Sequence, residues 1–167
     1  MSDDAPIKVF ISYAQESSEH KQRVLEVAQR LRGDQVDCTI DQFVNGSPSE
    51  GWPLWMERQV QQADFVLVVC TPTYLRRYEA VEQAGKGLGA TWEAILTRQE
   101  LYEGQADNRK FIPVVFESGT TDRIPKPLRP YTYYKLSERY DELLRHLTQQ
   151  PATVPQPLGR RRILPPL

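Results

Sequence analysis

Among the residues able to do chemistry, one carboxylate stands out. Glu93 lies between Trp92 and Ala94, just after the run Gly85-Lys86-Gly87-Leu88-Gly89 and at the start of an apolar-periodic stretch. That position puts it near the carboxyl edge of an α/β sheet, where ligands bind. An acid in a first helical turn also complements the helix dipole without doing any chemistry. The residues alone leave both readings open. The glycine run lacks the GxxxxGK(S/T) spacing of a phosphate-cradling loop and does not join a strand directly to a helix, so a flexible connection is expected. Arg76-Arg77 falls in the same edge region. It can face an anionic ligand, although a solvated charged turn is the favoured reading.

Other chemistries lack their residues. His20 and His146 are far apart, and neither has a metal-ligand neighbour three or four residues on. Cys38 and Cys70 fall in apolar runs, where a thiol is buried and inert. No zinc site and no Cys-His nucleophile is therefore expected. No GxSxG elbow supports a serine hydrolase.

The elements that must position these residues alternate. Residues 7–12 (IKVFIS), 36–40, 64–70 (DFVLVVC) and 111–116 (FIPVVF) read as strands, and 133–136 as a short edge strand. Ser17 and Ser18 can cap a helix whose face is Val24, Val27, Ala28 and Leu31, with Gly33 as its left-handed stop. A polar loop over 41–51 leads to a helix opened by Trp52-Pro53, with Trp52, Met56, Val60 and Ala63 on its packed face. Trp55 is one helical step off that face, so partial exposure as contact surface competes with a core role, which is the favoured reading. Thr71-Pro72 is expected to break the chain, with a short helical turn over 74–78. Trp92, Ile95, Leu96 and Gln99 suggest a helix over 90–101. Tyr140, Leu143, Leu144 and Leu147 define the last helix. This order predicts a flavodoxin-like three-layer α/β domain with a five-stranded, mostly parallel sheet.

Composition narrows the setting. The 167 residues are 40% hydrophobic and 26% charged, with a net charge of -1. Such a balance argues against sequence-independent nucleic-acid binding. The acidic start has no apolar core of a secretory signal, and no apolar run reaches the roughly 20 residues of a membrane span. A cytoplasmic domain over 1–150 is expected. Residues 151–167 hold five prolines in seventeen positions and no period, so they read as an extended linker leading to a C-terminal module.

Taken together, certain segments resemble a known family. KVFISYAQ at 8–15 resembles the opening strand and loop of TIR-like domains. DQFVNGSPSEGWPLWMERQVQQADFVLVVCTPTY at 41–74 resembles the SEFIR branch more closely, and GKGLGATWEAIL at 85–96 resembles its bacterial members. FIPVVFE and IPKPLRPYTYYKL complete a resemblance over about 7–148. It implies self-association through the loop 41–52, with Asp41, Trp52 and Trp55 in the contact region. It also implies one of two roles. The first is a bacterial, anti-phage immune effector that hydrolyses NAD+ to nicotinamide and ADP-ribose. The second is a non-enzymatic adaptor acting by homotypic contact. By the same resemblance Phe10, Ser12 and Tyr13 line the nucleotide pocket, with Arg76 and Trp92 beside it. Glu93 takes the catalytic position, with Glu79 and Glu82 as alternative acids.

That chemistry needs only one acid. The nicotinamide of NAD+ leaves as a neutral group, so no general acid is required. Positive charge builds on the ribose, as in glycoside cleavage. One carboxylate beside it can stabilise that charge.

Overall fold

The computed structural model describes residues 5–84, with backbone alone for 81–84, and residues 108–116 and 121–167. The expected glycine loop, the helix over 90–101, Trp92 and Glu93 lie outside the described residues.

Five strands form one sheet: β1 (Lys8–Ser12), β2 (Asp37–Thr39), β3 (Phe65–Val69), β4 (Phe111–Val115) and β5 (Tyr134–Lys135). Their order is β2-β1-β3-β4-β5, and every pair is parallel. The described helices are α1 (Ser18–Gly33), α2 (Trp52–Gln62), α3 (Pro72–Ala84) and α4 (Tyr140–Thr148). This is the expected three-layer α/β domain. None of these helices is long and apolar enough to cross a membrane.

The pleat sorts the core into two layers. Val9 and Ile11 of β1 and Tyr13 just after it, with Leu67 and Val69 of β3, pack against Val24, Ala28 and Leu31 of α1 and Leu143 and Leu147 of α4. Phe10, Val66, Val68 and Cys70 face the other way, against Trp55, Met56 and Val60 of α2 and Tyr74 of α3. Strands buried on both faces are the mark of a parallel sheet, and they explain the unbroken apolar runs.

Pro113 sits inside β4, where proline usually removes a ladder bond. Here it removes none. Lys110 O and Val114 O accept from β3, while Val115 O accepts from Leu136 on the other side. Alternation therefore turns the Pro113 nitrogen towards β5, whose pairing with β4 begins only at Val114.

Three local expectations are corrected. Gly33 is the last helical residue of α1 rather than its left-handed stop; Asp34 caps the helix, and Gln35 takes the positive φ of 65°. Thr71-Pro72 does not break the chain but starts α3, which runs to Ala84. Thr71 Oγ1 accepts from Tyr74 N at 3.1 Å, and proline is well placed in a first turn, where its missing N–H costs nothing. The connection before β5 is not simply extended, since it carries 3-10 turns at Thr121–Arg123 and Lys126–Leu128.

Cys38 and Cys70 are both buried. Burial pushes each thiol up to about 12. Neither is expected to react with a disulfide thiol reagent at pH 8 in the native state. Both should react within the mixing time in denaturant. Fast native labelling at either position would contradict the packing of β2 or β3.

Candidate functional site

The register of β1 with β3 sets the site. Ser12 pairs with Val68, so the two strands end side by side. The chain then leaves β1 through Tyr13, Gln15 and Glu16, and leaves β3 through Cys70 and Thr71. Hydrogen bonds cross this edge. Ser12 Oγ and Tyr74 OH lie 2.9 Å apart, both fully buried. Thr71 Oγ1 donates to Glu16 Oε2 at 2.5 Å, joining the loop after β1 to the start of α3.

Tyr13 points to the opposite face of the sheet. Its hydroxyl donates to Asp41 Oδ1 at 2.5 Å and accepts from Gln42 Nε2 at 3.0 Å. Gln15 Nε2 donates to Asp41 Oδ2 at 2.8 Å. Burial first, and then the Asp41 carboxylate, push the phenol well above its usual value, so it stays a donor. Asp41 is therefore an inward anchor for the loop 41–51 rather than a free surface charge.

His20 is buried between the rings of Tyr13 and Phe116. Its Nε2 lies 3.6 Å from Glu16 Oε2 and has no hydrogen-bond partner. Burial lowers its pKa against the opposing pull of Glu16, and Arg23 lowers it further. His146 is also lowered by burial, with Nδ1 at 2.9 Å from Tyr134 OH.

Of the expected nucleotide-lining residues, the structure brings Ser12 and Tyr13 to the strand edge but on opposite faces. Phe10 lies deeper, edge-on to Trp55 with ring centroids 5.9 Å apart. Arg76 is exposed on α3 and reaches Thr73 Oγ1 at 3.2 Å. Glu79 is exposed on the same helix. Trp92, Glu93 and the Glu82 side chain lie outside the described residues. Among those described, no cluster of three or more His, Cys, Asp or Glu can hold a metal.

Trp55 takes the core role that was the favoured reading, and Trp52, expected on the packed face, is the less covered of the two. Trp55 is only 8% exposed, set between Phe10 and Trp52, so it is core and offers no contact surface to a partner. Trp52 is half-buried. It is the first residue of α2 and sits at the rim, while the inward face is centred between residues 55 and 56.

The pattern did not single out Phe43 and Leu54, each 39% exposed. Outside the tail they are the large apolar residues left exposed among the described residues. The available signal was the apolar pair Phe43-Val44 inside a mostly polar loop. The loop between them is shaped at both ends. Gly46 and Gly51 take φ of 75° and 86°, which favour glycine. Glu50 meets Arg58 of α2 at 3.1 Å.

Comparison with known proteins adds the following. The family model described as "SEFIR domain" matches residues 7–147. The crystal structure of a prokaryotic SEFIR domain is 26% identical, with a TM-score of 0.64, covering 92% of this chain and 99% of that one. The SEFIR domain of IL-17 receptor B is 14% identical, with a TM-score of 0.60 over 87% and 97% of the two chains, a likeness of fold. No curated protein sequence matches.

Two predictions follow from this geometry. Trp55→Ala should destabilise the fold by about 3–5 kcal/mol, the range for emptying a large aromatic site; a denaturant midpoint unchanged from wild type would contradict its burial. Both histidines are held below their ordinary pKa, so the unfolded chain takes up protons before the folded one does. That part of the stability is complete above about pH 6.5 and is lost as pH falls below it. The Tm should therefore drop from pH 7.5 to 5. The double variant His20→Gln, His146→Gln should flatten the slope, and an equally steep profile would refute this assignment.

Proposed function

The chain belongs to the SEFIR family, and from that premise we propose that it is a signalling domain that binds further SEFIR domains, a second copy of itself first, through the segment between β2 and α2. The observation that carries this reading is the exposure of Phe43 and Leu54 at the two ends of a loop fastened from inside. Tyr13 and Gln15 hold its start through Asp41. Such a loop is already shaped before contact, so less ordering entropy opposes association. A head-to-tail contact through this loop can repeat and build open assemblies.

A second reading concerns what assembly switches on. The polar pairs Ser12–Tyr74 and Glu16–Thr71 lie at the carboxyl edge of the central strands, the usual place for a ligand in an open α/β sheet. A ligand at that edge fits the other role the resemblance implies, a bacterial anti-phage effector that cleaves NAD+ to nicotinamide and ADP-ribose, with Glu93 stabilising the developing ribose cation. The adaptor role needs no such step.

Sedimentation velocity tests the first reading. Wild type should form larger species as concentration rises, while Phe43→Asp with Leu54→Asp should stay monomeric with a Tm within a few degrees. Equal assembly by both would sink the proposed surface. Nicotinamide release at several protein concentrations tests the second. Glu93→Gln should cut turnover about a hundredfold or more, with Glu79→Gln and Glu82→Gln as controls. No release by assembled wild type would leave the adaptor role alone.

A further inference from the structure

The tail offers chemistry that the domain does not use. Every residue from 151 to 167 is exposed, and the segment contains no helix or strand. No tail residue takes a positive φ. Val154, Leu158, Ile163, Leu164 and Leu167 are left open to solvent. The end of this segment reads Arg160-Arg161-Arg162-Ile163-Leu164-Pro165-Pro166-Leu167.

Two adjacent prolines fix their own φ, and each restricts the residue before it to extended backbone. Residues 164–166 are thereby biased to the polyproline II helix, which has three residues per turn. On that helix Leu164 and Leu167 share one edge, and Ile163 and Pro166 share the next. Two neighbouring edges are apolar, and the three arginines stand together at one end. A stiff ridge with two apolar edges and a basic end is the shape recognised by aromatic-lined proline-binding grooves. Stiffness lowers the ordering cost of binding, and guanidinium groups pair with carboxylates and stack on aromatic rings.

Two grooves among the described residues do not fit this ligand. One of about 480 Å3, beside α1 and α4, is lined by Arg23, Arg30 and a single acid, Glu26. Another of about 600 Å3, beside α4, carries Arg139 and Arg145 with a single acid, Glu142. Each sets two cations against one anion, so each disfavours an arginine-rich segment.

We propose that residues 160–167 are a docking peptide for a separate protein, one with an aromatic-lined polyproline groove flanked by carboxylates. The apolar edges seat in the groove, and the arginines pair with the acids at its end.

The test uses the full chain and, as probe, a recombinant SH3-type domain with acidic residues beside its aromatic groove. Calorimetric titration should give saturable binding that weakens as salt rises. The variant Leu164→Ala, Leu167→Ala and the variant Arg160→Glu, Arg161→Glu, Arg162→Glu should each weaken binding at least tenfold. Both should keep the wild-type Tm, because the altered side chains are exposed. Absence of binding by wild type would overturn the proposal. So would wild-type affinity in the leucine variant, which would reduce the effect to charge alone. Tighter association with vesicles of anionic phospholipid, or with RNA, than with the groove would overturn it too.

Discussion

The parallel pairing of β1 with β3 is the constraint from which the rest of the structure follows. Both strands are buried on both faces, so their backbone polar groups must meet one another in the ladder. With Ser12 opposite Val68, Tyr74 reaches Ser12 and Thr71 reaches Glu16. A slip of one residue would turn Phe10 and Ser12 towards α1 and set Ile11 and Tyr13 against α2 and α3. The alternate apolar sets on the two faces therefore hold the strand edge in register.

The two faces of this edge do different work. On the side of α2 and α3, the Ser12–Tyr74 and Thr71–Glu16 pairs tie the end of β1 to the first turn of α3. On the side of α1, Tyr13 reaches across to Asp41 and fixes where the loop after β2 begins. The core thus reaches the surface through a short chain of polar contacts. That chain is what lets a loop carrying an exposed Phe43 keep a defined shape.

Much of the fold was legible because its elements are local. The apolar runs at 7–12, 64–70 and 111–116 became β1, β3 and β4, and Ser17 caps α1 by accepting from His20 N at 3.1 Å. Leu143 and Leu147 face inward on α4 as their spacing required. The misses share a cause, which is context set by tertiary contact. Pro72 reads as a break until Thr71 supplies its cap. Trp52 and Trp55 differ by less than one helical turn, and only the rim of the sheet decides which is covered. The Glu16–Thr71 bond spans 55 residues of sequence, and no periodicity announces it. At the candidate site, the apolar run at 7–12 placed Ser12 and the residues after it at a strand end, where they are found. It said nothing of the inward turn of Asp41 or the exposure of Leu54.

The central claim is that residues 41–54 form the contact between copies of this domain, and backbone hydrogen exchange tests it most directly. Exchange is followed by mass spectrometry on dilute and concentrated samples of the same protein. The account predicts that amides across residues 41–54 slow as concentration rises, while those of α4 do not change. Protection that leaves residues 41–54 untouched and appears on α4 instead would contradict it.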